Sequence, residues 1–212
     1  MTLRLLSSLI LCLAIAVNAN AQQLTATDVF KSAPARIFPL LENNTRLDML
    51  DYFNSNMPNN TQNRLNGKSN ITALSDDAIT IKLSEASSCQ LALLPAGNSQ
   101  VIAVITTVAT PAPDSKLTVY SGDWTQNLTA PAFRKPALRD WLTDEGRKHQ
   151  SDVEMTVPFL LIEYSLDPSS GLLTLTNNTH RFLSEEVYEM VEPYLLKSIQ
   201  YRWNGKRFDP VK

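Results

Sequence analysis

From Ile79 to Tyr120 the apolar residues recur at nearly every second position, in segments only a few residues apart. Ile79-Thr80-Ile81-Lys82-Leu83 alternates, and Cys89-Gln90-Leu91-Ala92-Leu93-Leu94 follows a Ser-rich turn. Residues 101–108 are almost continuously apolar and β-branched, and Pro111-Ala112-Pro113-Asp114 turns the chain into Lys116-Leu117-Thr118-Val119-Tyr120. A period of two marks a strand, and these connections are too short for the crossover that parallel neighbours require. The spacing predicts four strands in an antiparallel meander. The 101–108 run lacks a polar face, which predicts a strand covered on both sides.

Upstream, Thr27 is placed to cap a short helix over 28–32, before Pro34 interrupts. Thr45 with Asp48 three residues on reads as a capping arrangement for a helix over 46–54. That helix would carry Leu47, Leu50 and Phe53 on one face, with Met49 alongside. Residues 54–70 are dense in Asn, Gln, Thr and Ser, whose side chains compete with regular backbone pairing, so the stretch reads as a loop, with mobility favoured over function.

Residues 122–150 read as a bridge with a helix around 137–142, and strand pattern resumes over 155–166, interrupted by Pro158. After the Asp167–Gly171 turn comes Leu172-Leu173-Thr174-Leu175. Ser184 can cap a helix with Glu185 and Glu186 in its first turn, and Val187, Met190, Val191, Tyr194 and Leu195 recur at helical spacing, with Pro193 as a kink or stop. The chain closes on Ile199, Tyr201 and Trp203, then Asn204-Gly205, then Lys206-Arg207-Phe208. Asn-Gly suits a two-residue hairpin turn, which would set Trp203 opposite Lys206 and Tyr201 opposite Phe208. The expected fold is α+β: a largely antiparallel sheet of about eight strands, with the segments around Leu50 and Met190 as candidates to cover it. Residues 22–212 form one domain in this reading. A helix-then-strands order recurs in halves 22–121 and 122–212, which raises a diverged duplication, although comparing the halves gives no convincing residue identity.

The first residues carry an address. Arg4 follows Met1-Thr2-Leu3 as a short positive head, residues 5–17 are apolar, and Ala19-Asn20-Ala21 offers the small-x-small step read by signal peptidase, so cleavage before Gln22 is expected. No later run approaches the roughly 20 apolar residues of a spanning helix. The mature chain loses Arg4, which leaves 18 Lys+Arg against 21 Asp+Glu. That balance is too mild, without any basic block, to steer the protein to nucleic acid or an anionic membrane. Cys12 lies in the leader, so the mature chain retains Cys89 alone and forms no intrachain disulfide. Leu9-Ile10-Leu11-Cys12 faintly resembles a lipid-attachment box, but Leu11 is bulky where a small residue is needed, and cleavage after Ala21 is preferred.

Several stretches together resemble an uncharacterised family of exported proteins from gut and oral Bacteroidales, known as a domain of unknown function. They are Ala33-Pro34, Phe38-Pro39-Leu40-Leu41 and Arg46-Leu47-Asp48-Met49-Leu50-Asp51; Ile105-Thr106-Thr107-Val108 leading through Pro113-Asp114-Ser115 to Tyr120 and Trp124; and Tyr201-Arg202-Trp203-Asn204-Gly205-Lys206. The resemblance covers nearly all of the mature chain. It implies a Gram-negative periplasmic or secreted location and carries over no catalytic residues.

Chemical motifs are sparse. His149 and His180 lack a second ligand at helical spacing, and adjacent Asp76 and Asp77 on an extended segment point to opposite sides, so neither a metal site nor any other cofactor is expected. No Gly-x-Ser-x-Gly or glycine-rich phosphate loop is present, and alternation places Cys89 with Leu91 and Leu93 as a buried thiol. Trp124, Trp141, Tyr201 and Trp203 are the candidate ligand-binding residues, as an aromatic platform for a glycan or peptide, although aromatics in alternating strands more often face a core. The reading favoured is a non-catalytic periplasmic or secreted protein that binds an envelope protein or glycan. The alternative is an envelope hydrolase with a dispersed site, using Asp76, Asp77 or His180 in acid/base chemistry.

Overall fold

The computed structural model describes residues 23–58 and 60–211. The leader, its cleavage point and Cys12 lie outside the described residues.

Two helices lead, α1 (Ala26–Ser32) and α2 (Asn43–Asn54), and both begin earlier than the sequence reading placed them. Thr25, not Thr27, caps α1: its Oγ1 accepts from the Asp28 N–H at 3.1 Å, and the Asp28 carboxylate accepts the Thr25 N–H in return. Thr45 lies inside α2, whose seating is set by Arg46. That buried guanidinium donates to the carbonyls of Phe30 (2.9 Å) and Ala33 (2.7 Å), at the C-terminal end of α1 where carbonyls lack helical partners. The contact turns Arg46, Met49 and Leu50 inward and leaves Leu47, expected on the packed face, at the surface.

Six strands follow, β1 (Thr61–Gln62), β2 (Lys68–Leu74), β3 (Ala78–Ser84), β4 (Ser87–Ala96), β5 (Ser99–Val108) and β6 (Asp114–Ser121), each antiparallel to the one before. The stretch expected to be a loop therefore contains β1 and the start of β2. Its turn is built on buried Asn63, whose Oδ1 accepts from the Leu65 and Gly67 N–H groups at 3.0 Å each. The Asn63 amide donates to Ser69 Oγ and the Leu83 carbonyl.

The unbroken apolar runs of β4 and β5 serve two cores. Ala92, Leu94, Val101, Ala103 and Ile105 face one, while Cys89, Leu91, Leu93, Ile102 and Val104 face the other. Helices α1 and α2 cover the second core. The first is covered by another sheet, with short helices at its margin: α3 (Thr129–Ala132), a 3-10 turn at Leu138–Trp141, α4 (Asp144–Lys148) and α5 (Gln150–Thr156). That sheet is β7 (Ile162–Asp167), β8 (Leu172–Asn177), β9 (Ser198–Trp203) and β10 (Phe208–Pro210), again antiparallel in chain order. Helix α6 (Glu185–Val191), capped by Ser184 as expected, lies between β8 and β9. The fold is α+β, with ten strands among the described residues divided between two antiparallel sheets.

Three local expectations are corrected. Met155 and Thr156 are helical, and the strand begins only at Ile162, after Pro158. Met190 is exposed, because Val191 is the α6 residue that reaches the core. In the closing hairpin Trp203 pairs with Phe208, not Lys206, across a four-residue loop. The Asn204 side chain accepts from the Lys206 and Arg207 N–H groups, which stabilises the wider turn, and the shifted register brings the Trp203 and Phe208 rings to 5.1 Å.

The sheets are joined by side chains that act as a missing strand. The N–H groups of Ile162, Tyr164 and Leu166 along β7 donate to Asp114 Oδ1 (2.9 Å), Ser115 Oγ (3.0 Å) and Gln90 Oε1 (3.1 Å). Gln90 Nε2 donates back to the Leu166 carbonyl at 2.7 Å. An open strand edge is thereby paired without a continuous sheet.

Candidate ligand groove

Meander topology places alternate turns at the same end of the sheet. The β2–β3 turn, the β4–β5 turn and the exit from β6 therefore share one end, and there they frame a groove of about 1070 Å³. Its walls include Asp77, the Gly97–Gln100 turn and Ser121–Trp124, joined by Gln23 and Leu24 before α1 and by Pro168 and Ser169 from the β7–β8 turn. Gly97 has φ +63°, a left-handed turn position that glycine adopts without strain. Gly122 is required by close approach: a Cβ there would stand 2.9 Å from the Gln100 carbonyl. The Gln100 side chain accepts the Leu24 N–H at 2.8 Å, fastening the entering chain to this wall.

The β6 exit is tightly built. The Asp123 carboxylate accepts from Ser121 Oγ (2.5 Å), Thr125 Oγ1 (2.8 Å) and the Thr125 N–H (3.1 Å), and these bonds hold its pKa down at about 2. Trp124 has φ +64°, a conformation that costs a bulky residue on the order of 1–3 kcal/mol. Arg36 donates to its carbonyl at 2.9 Å, and its ring is buried 5.4 Å from Tyr120. The Trp124 indole N–H is buried with no acceptor among the described residues.

Chemically, the groove offers the amides of Gln23, Asn98, Gln100 and Gln126, several serine hydroxyls, the carboxylates of Asp77 and Asp123, and an apolar floor from Leu24, Leu93 and Pro95. Among the described residues, those lining it include no His, Cys, Lys or Arg. The arrangement suits hydrogen bonding to a ligand rich in hydroxyl or amide groups.

The four candidate aromatics are all buried and do not come together as one platform. Trp124 belongs to the core under α1 and α2, whereas Trp141, Tyr201 and Trp203 belong to the core between the sheets. Tyr201 and Trp203 join one ring cluster, Tyr201 packing edge-on against Phe133 (5.5 Å), which in turn packs on Phe208 (6.1 Å). The Trp203 indole donates to the Pro95 carbonyl at 2.6 Å, a further link between the sheets. Trp124 alone among the four borders the groove.

The acid/base candidates also stand apart. Asp76 and Asp77 occupy the β2–β3 turn, where their carbonyls accept the N–H groups of Ala26 and Leu93, and Asp77 reaches the groove. His180 lies outside the groove, its ring 5.6 Å from Tyr188, and His149 stacks on Tyr194 at 4.9 Å. Burial pushes the Cys89 thiol up to about 12. Among the described residues no three His, Cys, Asp or Glu side chains converge to hold a metal, and no helix is long and apolar enough to cross a membrane. Sequence reading missed Asn98, Gln100, Asp123 and Gln126. The signal that could have found them was Gly97-Asn98 and Gly122-Asp123, two turn pairs that a meander must bring to one end.

Comparison with known proteins agrees with the architecture. A family model described as "Protein of unknown function (DUF3256)" matches residues 16–208. No curated protein matches the chain. Among solved structures, the chain is similar to that of a domain of an uncharacterized protein from Porphyromonas gingivalis W83, at 22% identity and a TM-score of 0.72, over 86% of this chain and 96% of that one. At that identity the likeness speaks to the fold alone.

Proposed function

We propose a binding role for this chain, which belongs to the DUF3256 family of proteins of unknown function: a non-catalytic, exported envelope protein that takes a neutral glycan in the groove at the turn end of its larger sheet. The observation that carries the reading is the groove's lining, in which amides, hydroxyls and two carboxylates converge; its bonded hydroxyl–carboxylate pair, Ser121 with Asp123, is tied into the β6 turn with the carboxylate held at about 2, too weak a base to activate a hydroxyl. Oligosaccharides present dense hydroxyls that such groups bond in fixed directions, while the apolar floor matches the carbon faces of sugar rings. The leader-like start supports export.

The test is titration of the mature chain, residues 22–212, against a panel of neutral oligosaccharides, with neutral peptides of similar length in parallel. Binding of one glycan class, weakened about tenfold or more by Asn98→Ala with Gln126→Ala in a chain that still melts cooperatively, supports the reading, since about 1.4 kcal/mol of lost hydrogen bonding is tenfold in affinity. Turnover of a bound glycan would overturn the non-catalytic part. Binding of peptides alone would overturn the glycan part.

A further inference from the structure

The face made by α5, α6 and the segments beside them carries apolar side chains that the described residues leave exposed. Met155 of α5 is 79% exposed and Met190 of α6 is 67% exposed. Phe159, after α5, and Phe182, before α6, are both exposed and pack on each other with ring centroids 4.8 Å apart. These elements touch, because α5 packs against α6. Phe159 also forms part of the wall of a second cavity of about 230 Å³, whose lining includes Trp141, Val157, Pro158, Leu160 and the side of Lys135. Solvent-exposed aromatics beside a small cavity, with exposed methionines on the same two helices, make up the composition of surfaces that receive another chain.

The charge on this face selects the partner. Helices α5 and α6 contribute Asp152, Glu154, Glu185, Glu186 and Glu189 and not one Lys or Arg. Asp152 stands 3.5 Å from His149, and Glu154 accepts from Gln150, whereas no ion pair engages Glu185, Glu186 or Glu189 among the described residues. The cations near this face are Arg181, Lys135 in the wall of the cavity beside Phe159, and Arg147, Lys148 and Lys197, which are paired with Asp144, Glu145 and Glu192. An acidic rim repels anionic lipid and nucleic acid. It also opposes a symmetric dimer, because a two-fold contact would set the rim against itself.

We propose that this face is a docking surface for a cationic amphipathic protein segment. Phe159 and Phe182 act as anchors for its apolar side, and the carboxylates of α5 and α6 receive flanking Lys and Arg. The surface is separate from the groove and does not depend on what the groove binds.

The experiment uses the mature chain and three labelled helix-forming peptides of about 16 residues, roughly four turns, read by fluorescence anisotropy. One carries Leu and Phe along one face with Lys and Arg flanking, the second replaces every cation with Glu, and the third replaces the apolar face with Ser. Binding of the first peptide alone is expected, weakening several-fold between about 0.05 and 0.3 M salt as screening tightens. Phe159→Ser with Met190→Ser, and separately Glu186→Lys with Glu189→Lys, each weaken it about tenfold or more while melting is unchanged, a loss of the kind hot-spot truncations produce. Equal binding of the first two peptides overturns the charge argument, and indifference to both double variants overturns the location. Dimerisation in sedimentation that Phe159→Ser abolishes would assign the face to a second copy, and adsorption to anionic phospholipid vesicles to a membrane; either overturns the proposal.

Discussion

Gln90→Met tests the joint between the sheets at its most informative point. The Gln90 side chain accepts from the Leu166 N–H at 3.1 Å and donates to the Leu166 carbonyl at 2.7 Å, imitating the backbone of an absent neighbour strand. Methionine nearly keeps the shape and flexibility but supplies neither partner. Both Leu166 groups then remain partly buried without a protein bond, at about 1 kcal/mol each, the low end of the range for unsatisfied groups because the site is only part-buried. The sum, about 2 kcal/mol, corresponds to a fall of roughly 4–8 °C in melting temperature for a chain of this size. Gln200→Met is the control: Gln200 lies on an exposed position of β9, and its side chain bonds Thr174 Oγ1 alone among the described residues, at 3.3 Å, so its loss stays within about 0.5 kcal/mol. Calorimetry measures the melting temperatures, and amide hydrogen exchange locates the effect, with faster exchange at Leu166. A shift of less than about 1 °C, or one matched by the control, would refute the account of Gln90 as a surrogate strand.

Other sites give sharp expectations. Gly146→Ala places a Cβ 2.2 Å from the Tyr194 carbonyl, so it destabilises by about 3 kcal/mol in urea titration, whereas Gly97→Ala meets no neighbour and costs about 1 kcal/mol for its positive φ. Arg46→Met removes both donors to the Phe30 and Ala33 carbonyls at the end of α1 and lowers stability by about 2–4 kcal/mol; loss of less than about 1 kcal/mol in the same titration would show that water replaces the guanidinium. Cys89, its thiol held up at about 12 by burial, resists iodoacetamide at pH 8 in the folded chain and is alkylated on unfolding, as intact mass will show. Asp123 is held at about 2 by its bonds from Ser121 and Thr125, against an ordinary 3.8. A depressed carboxylate stabilises the fold above its unfolded pKa, and that stability is lost as pH falls from about 4 toward 2, so Asp123→Asn makes the fall in melting temperature across that window shallower, the rest coming from Asp28, Asp140 and Asp167, which are also held down.

Local chemistry made much of the larger sheet legible. Period-two alternation and turns too short for a crossover dictated the meander of β3 to β6, and the featureless β5 run announced a strand buried on both faces. The Ser184 cap likewise placed α6. Register and orientation were decided elsewhere. The Asn204-Gly205 pair proclaims a hairpin, but its loop length was settled by bonds from the Asn204 side chain and by the meeting of Trp203 with Phe208. The face of α2 expected to carry Leu47 inward was displaced because α1 supplies the carbonyls that draw Arg46 in. Alternation revealed that β4 and β5 need cover on two faces, but not that one cover would be a second sheet from residues more than 50 positions downstream in sequence. The groove is the extreme case, since Asp77, Asn98, Asp123 and Ser169 meet only because separate turns reach one end of the fold. Strand periodicity is written within a few residues of itself, so the sequence determines it alone, whereas of the caps only Ser184 was legible, Thr27 and Thr45 having been displaced by helices that begin earlier. Which faces meet, and which polar groups then converge, depends on contacts between distant segments, and those exist only once the chain has folded.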